Sequence, residues 1–369
     1  MSQQSGKLGI REYVSIAILM VGMKPTGDLP TALYTMVQSA GWMIPLISAG
    51  IFFIPLFLLV KTMMLYQNQN LFTIIQKLLG KYIGSIVCLI IFIISSSIIS
   101  IDTRTYTNII RTFYFTTTPN LIIYSILMLV CAYGAKKGIQ HIGSAAYLVV
   151  YYAVFSLIIA LILSFQDSNI QGIFPFWGPG KLEILKGASK SLYIFLEFFL
   201  FAMLIPNFQS TKDFRKGTWV AYICVCIQIS AAVLVFISLF DTSLGGIGYP
   251  FHTEIRYISL GSYLPNVEIF FFVIWIMGAF IRFTAFLYIN VQMFCHIFKI
   301  KDYEYLIPAL ATIYLLIGSI PETPFDVGLV IKPIITNVVG PSFTFISIIL
   351  WLTAWLKGEF KHANNKEMV

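Results

Sequence analysis

"MVGMKPTGDLPTAL" (residues 20–33) breaks into apolar sequence that otherwise reads as a helix entering a membrane. Lys24, Pro25, Gly27, Asp28 and Pro30 fall within seven residues, and apolar sequence resumes after them. Pro25 and Pro30 each remove a backbone donor, and Gly27 permits dihedrals closed to other residues. The stretch predicts two half-helices with an unwound joint, its free amides carrying partial positive charge that Asp28 or Thr31 can cap. Irregular backbone is tolerated at membrane depth only against protein or a wet cavity, so the joint marks a binding site.

Working outward, the 369-residue chain is 58% hydrophobic and 11% charged, with a mean hydropathy of +0.84. Such a chain is a polytopic membrane protein, and its continuous apolar runs exclude the short alternating strands of a barrel. Seven runs of at least 17 residues carry no charge: 42–60, 82–101, 112–135, 142–166, 217–240, 305–321 and 333–356. Three more, 13–38, 191–209 and 269–298, span only if an internal charge is tolerated, making ten predicted helices. Of the Lys and Arg outside the spans, fifteen fall on one side and six on the other, which places both termini in the cytoplasm. The net charge of +8 is thereby assigned to loops facing anionic membrane lipid rather than to nucleic acid.

Spans starting near 13, 42, 82, 119 and 139 are followed by others near 187, 216, 265, 303 and 338, an offset that widens smoothly from 174 to 199. Because five is odd, a duplicated copy inserts upside down, giving an inverted five-plus-five repeat. Residues 1–164 form the first copy, 165–186 an external connection, 187–357 the second copy and 358–369 a cytoplasmic tail, all in one membrane domain. In transporters of this kind the site lies near the midplane, in discontinuous helices. The segment 71–80, with apolar residues 71, 74, 75 and 78, is expected to lie along the membrane interface.

Charge inside the spans is costly and marks function. Glu197 lies in mid-span 6, the counterpart of span 1, although that span has no Gly and only Pro206, so its unwinding is less clearly written. Arg282 sits at the centre of span 8. Asp102 and Arg104 lie near the outer end of span 3, where a site role and ordinary interface charge fit equally. Lys24, Asp28, Glu197 and Arg282 sum to zero, an internally paired quartet around a small polar cavity, with the rings of Tyr193, Phe198 and Tyr288 nearby. The candidate ligand-binding residues are Gly22, Lys24, Thr26, Gly27, Asp28, Tyr193, Glu197, Phe198 and Arg282. The competing reading is a buried ion network that only locks the bundle. The five Cys and four His are scattered, giving no disulfide framework or metal site, and neither a cofactor box nor a nucleophile–base constellation argues for an enzyme.

GIREYVSIAIL (9–19), GMKPTGD (22–28), GWMIPL (41–46) and ten spans of this spacing resemble the spore germination B-subunit family (GerAB type), a branch of the amino acid–polyamine–organocation superfamily. The resemblance covers residues 8 to about 358. It implies a LeuT-like fold with a site among helices 1, 3, 6 and 8, the spans that carry charge here. It further implies a nutrient germinant receptor subunit of the spore inner membrane, sensing an amino acid or nucleoside. Its partners would be a larger membrane A-type subunit and a C-type lipoprotein subunit. The fifth span (143–163) lacks the Lys common in proton-coupled relatives, which weighs against the alternative, a secondary transporter of amino acids or related solutes. A purely structural subunit or ion conduit is a third class.

Overall fold

The computed structural model describes residues 7–166, 168–258 and 268–361; the polar N-terminal residues 1–6 and most of the expected tail, with His362 and Lys366, lie outside that range. Among the described residues the chain is helical throughout, apart from one isolated bridge. The α-helices are α1 (Ile10–Ala17), α2 (Leu29–Val37), α3 (Met43–Met64), α4 (Leu71–Leu79), α5 (Lys81–Phe113), α6 (Asn120–Lys136), α7 (Ile139–Gln166) and α8 (Lys181–Lys190). They continue with α9 (Leu196–Leu200), α10 (Thr211–Phe240), α11 (Pro250–Tyr257), α12 (Glu268–Phe298), α13 (Leu306–Gly318) and α14 (Lys332–Leu356).

Seven helical stretches are long and apolar enough to cross a membrane, beginning with Leu29–Met64 and ending with Asp326–Leu356. Two apolar helices, Asn120–Lys136 and Tyr303–Gly318, are shorter. The outer faces carry exposed Ile86, Ile93, Leu129, Phe155, Ile162 and Leu316, an apolar exterior that only lipid or another protein can cover. The protein is therefore a polytopic helical membrane protein.

Local rules explain how polar residues survive inside apolar helices. In α5, Ser100, Thr103, Thr105 and Thr107 each return their hydroxyl proton to a carbonyl one turn earlier, so the backbone absorbs them. Asn70 caps α4 by accepting from the Thr73 amide at 2.9 Å, and Gly80 ends it at φ 84°. The apolar face of α4, including Leu71, Ile74, Ile75 and Leu78, is fully buried against the protein, chiefly α5 and α14.

The first span enters as α1 and loosens into a π-helical turn (Ile18–Gly22). It tightens to a 3-10 turn (Lys24–Thr26), and α2 begins only at Leu29. This interrupted element packs among α7, α10 and α12. The sixth span stays wound: 3-10 over Ser191–Phe195, α9, then 3-10 over Phe201–Asn207. The two spans are tied at one end, where the Leu8 amide donates to the Asn207 carbonyl at 2.7 Å.

Candidate functional site

The joint of the first span is not left bare. The Thr26 amide bonds the Met23 carbonyl at 3.0 Å and the Gly27 amide bonds Lys24 at 3.1 Å, so 3-10 bonds replace the α ladder. Neither Asp28 nor Thr31 caps α2 as expected. The Asp28 carboxylate accepts from Lys332 at 2.5 Å, and the Thr31 hydroxyl donates to the Ile247 carbonyl. A cation and a loop carbonyl draw these groups outward.

Lys24 reaches across to the sixth span. Its ammonium donates to Glu197 Oε2 at 2.7 Å, to the Ile194 carbonyl at 2.7 Å and to the Tyr193 carbonyl at 3.3 Å, which uses all three of its protons. The Tyr193 and Ile194 carbonyls belong to the 3-10 turn, which is how a span without Gly still offers backbone acceptors. The pair is sealed, with side chains 10% and 1% exposed.

Arg282, one of the four charges expected to pair among themselves, has a nearer partner outside that set. Its Nη2 donates to Asp102 Oδ2 at 2.7 Å and stands 3.9 Å from Glu197 Oε1. Its guanidinium also lies 5.5 Å from the centre of the Tyr106 ring, and Tyr106 stacks on Trp275 at 5.0 Å. The charges therefore form three short pairs, Lys24–Glu197, Arg282–Asp102 and Lys332–Asp28, the first two linked through Arg282 and Glu197 at 3.9 Å.

These pairs border a cavity of about 310 Å³, walled by Lys24, Gly27, Asp28, Asp102, Tyr106, Tyr193, Arg282 and Lys332 with apolar Leu29, Ile98, Ile101 and Val339. Lys190 lines it as well and is exposed to solvent. Five of the nine sequence-derived residues, Lys24, Gly27, Asp28, Tyr193 and Arg282, are thus brought together on its wall. Glu197 sits behind Lys24. Gly22 and Thr26 belong elsewhere at the joint: the Gly22 carbonyl accepts from Gln228 Nε2 at 2.9 Å, and the Thr26 hydroxyl accepts from the Trp275 indole at 2.9 Å. Phe198 is buried between Phe201 and Tyr222 and does not line this cavity, because the apolar rings of the sixth span pack onto α10. Tyr288 stands edge-on to Tyr303, likewise apart from the cavity.

The sequence leaves Asp102 undecided and does not mark Lys332, just before the apolar run 333–356, as a site residue. Lys332 begins α14 immediately before Pro333, and no local signal ties it to Asp28, 304 positions earlier. Outside the spans, α11 rests against the joint and α12. Its His252 Nδ1 is 3.0 Å from the Tyr114 hydroxyl, and its ring meets Trp275 edge-on at 4.5 Å.

The sequence profile of the spore permease family, described as "Spore germination protein", matches residues 12–327. The chain is 23% identical to "Spore germination protein KB" of Bacillus subtilis (strain 168) over 305 residues, 81% of each chain. It is 26% identical to "Spore germination protein A2" of the same organism over 297 residues, 78% of this chain and 80% of the relative. It is 19% identical to "Spore germination protein XB" of Bacillus anthracis over 301 residues, 80% and 83%. None of these is named as an enzyme, and a match over most of its length places the chain in the spore germination protein family.

Proposed function

We propose that the protein is the integral-membrane subunit of a nutrient germinant receptor. A small polar metabolite, an amino acid or a nucleoside, binds in the cavity between the first-span joint and the sixth span. The bundle is then ten spans in an inverted five-plus-five arrangement, with both termini cytoplasmic, in the spore inner membrane beside an A-type membrane subunit and a C-type lipoprotein. The observation that carries this reading is the cavity of about 310 Å³ at the interrupted helix, its wall bearing ion pairs between apolar surfaces. Binding that favours one conformer of the joint shifts the population and signals. The names of the relatives support the receptor role, and the paired charges support a site that is preorganised.

The test is germination of spores that lack the protein, and of spores that carry Asp102→Asn, against single nutrients over a concentration series. Deletion is expected to abolish the response to one nutrient. Asp102→Asn is expected to leave the protein abundant in the membrane and move its half-maximal nutrient concentration. Normal responses in the deletion strain would refute the receptor role, and uptake of labelled solute by proteoliposomes would make the protein a transporter.

A further inference from the structure

The cavity's spare bonding capacity is one-sided. Four cations line it, Lys24, Lys190, Arg282 and Lys332, against the two carboxylates Asp28 and Asp102. Glu197 brings a third negative charge from behind the wall, leaving a net charge of +1 over the site. The cations differ in what they have left to give. Lys24 has spent all three protons on Glu197 and two carbonyls. The remaining guanidinium nitrogens of Arg282, Nε and Nη1, are buried and have no hydrogen-bond partner among the described residues. Lys332 makes a single bond, to Asp28, and the two side chains are 23% and 25% exposed. Lys190 is exposed and has no hydrogen-bond partner among the described residues. The donors that are both unspent and open to solvent are therefore those of Lys190 and Lys332, while Ile98, Ile101, Leu29 and Val339 supply an apolar wall.

Resting on the receptor reading above but replacing its amino acid or nucleoside, we infer that the cavity selects a small organic monoanion: a carboxylate on an apolar body, held by Lys332 with help from Lys190. The carboxylate competes with Asp28 for Lys332, and that pair is the most exposed of the three, hence the easiest to exchange. Lys181 and Lys186 on α8, which also carries Lys190, add positive field on the approach, though Lys186 is paired with Glu183. A free amino group on the ligand would meet Lys332 and Arg282 in the same small space, and like charges there disfavour it.

The experiment uses the full chain in nanodiscs of neutral lipid. Binding of isobutyrate is compared with isobutyramide, isobutylamine and L-valine, which share its branched apolar body and differ in charge. L-alanine and inosine are included as probes of the broader reading. Isobutyrate is expected to bind about tenfold more tightly than the amide, with the amine weakest. Lys332→Gln should lower isobutyrate affinity about tenfold and leave the amide unmoved. Asp28→Asn frees Lys332, so it should raise isobutyrate affinity several-fold, the opposite of what loss of a merely structural pair would do. L-valine, the amide or the amine binding as tightly as isobutyrate overturns the inference. Binding of L-alanine or inosine without isobutyrate overturns it and leaves the receptor reading standing, whereas failure of every probe removes both. Repeating the titration in anionic-lipid nanodiscs separates a soluble carboxylate from a lipid headgroup: a site occupied only by anionic lipid also overturns it.

Discussion

In the first span α geometry stops at Ala17 and resumes at Leu29, whereas the sixth never stops winding and only tightens to 3-10 on either side of α9. Both reach the same place, a polar centre in an apolar bundle. The first span supplies side chains, Lys24 and Asp28, from a joint that Pro25 and Pro30 prevent from being an α-helix. The sixth supplies backbone, because a 3-10 turn leaves the Tyr193 and Ile194 carbonyls able to accept from Lys24. A break is therefore one way to expose polar backbone inside a span, and a change of helical pitch is another.

The most severe way to break this comparison is to remove the bond joining the two spans. Glu197→Leu leaves the Lys24 ammonium sealed with two neutral carbonyls, and Lys24→Met leaves Glu197 without its 2.7 Å partner. Each is expected to destabilise the protein by about 3–5 kcal/mol, with the double variant recovering most of the loss. Melting of the purified protein in detergent, together with its abundance in membranes, checks this. Single variants that melt like the parent would show that joint and turn are held by packing instead.

Much of this centre was legible. A cluster of Lys, Pro, Gly and Asp in apolar sequence has few structural outcomes, so the position of the joint could be read directly, as could the burial of Glu197 and Arg282 inside the bundle. The pairing could not. Arg282 has two carboxylates within 4 Å, Asp102 and Glu197, and their order depends on how α12 is rotated about its axis, which spacing does not encode. Phe198 lies off the cavity wall because an aromatic next to a charge in sequence points about 100° away from it on a helix. Lys332 was missed because Pro333 and the apolar run after it read as the start of a span, with no signal for a partner far away.

A second asymmetry concerns what covers each span. The joint has α11 against it, outside the spanning segments, and α11 buries Glu254 with no hydrogen-bond partner among the described residues. Burial pushes the Glu254 carboxyl from the ordinary 4.5 up to about 9 and the His252 imidazole from 6.5 down to about 3. For Glu254 the folded state holds the proton more tightly, so its stabilisation is complete below about pH 4.5 and is lost as pH climbs to about 9. For His252 the sign reverses: its contribution is present above pH 6.5 and lost as pH falls toward about 3. Glu254→Gln should flatten the alkaline fall in melting temperature and leave the acid-side loss in place. An unchanged alkaline slope would mean that α11 does not bury a protonated acid.

Smaller still is the effect expected at the rim. Asp28→Ala removes a pair whose side chains are about a quarter exposed, so its contribution to stability should be no more than about 1 kcal/mol. Melting should barely move while carboxylate binding changes, a contrast that separates the rim pair from the sealed one.

The finest test asks whether the joint needs glycine at all. Gly27 sits at φ −95° and ψ −142°, so its φ is not in the left-handed range. A Cβ there would meet only the Lys24 carbonyl at 3.5 Å, an ordinary contact. Gly22 is the tighter position, since a Cβ would come within 2.7 Å of Gln228 Oε1. The side chain of Gln228 would have to withdraw, with its 2.9 Å bond to the Gly22 carbonyl at risk. Gly27→Ala is therefore expected to change stability by no more than about 0.5 kcal/mol, with the entropy lost from the unfolded chain offsetting any strain. Gly22→Ala should cost about 1 kcal/mol, the worth of one buried hydrogen bond. Both are read from denaturant or thermal melts of the purified protein. The opposite order would mean that the freedom of the backbone at Gly27 makes the joint, whereas the expected order assigns it to Pro25, Pro30 and the partners of Lys24, which leave the first span no continuous ladder to form.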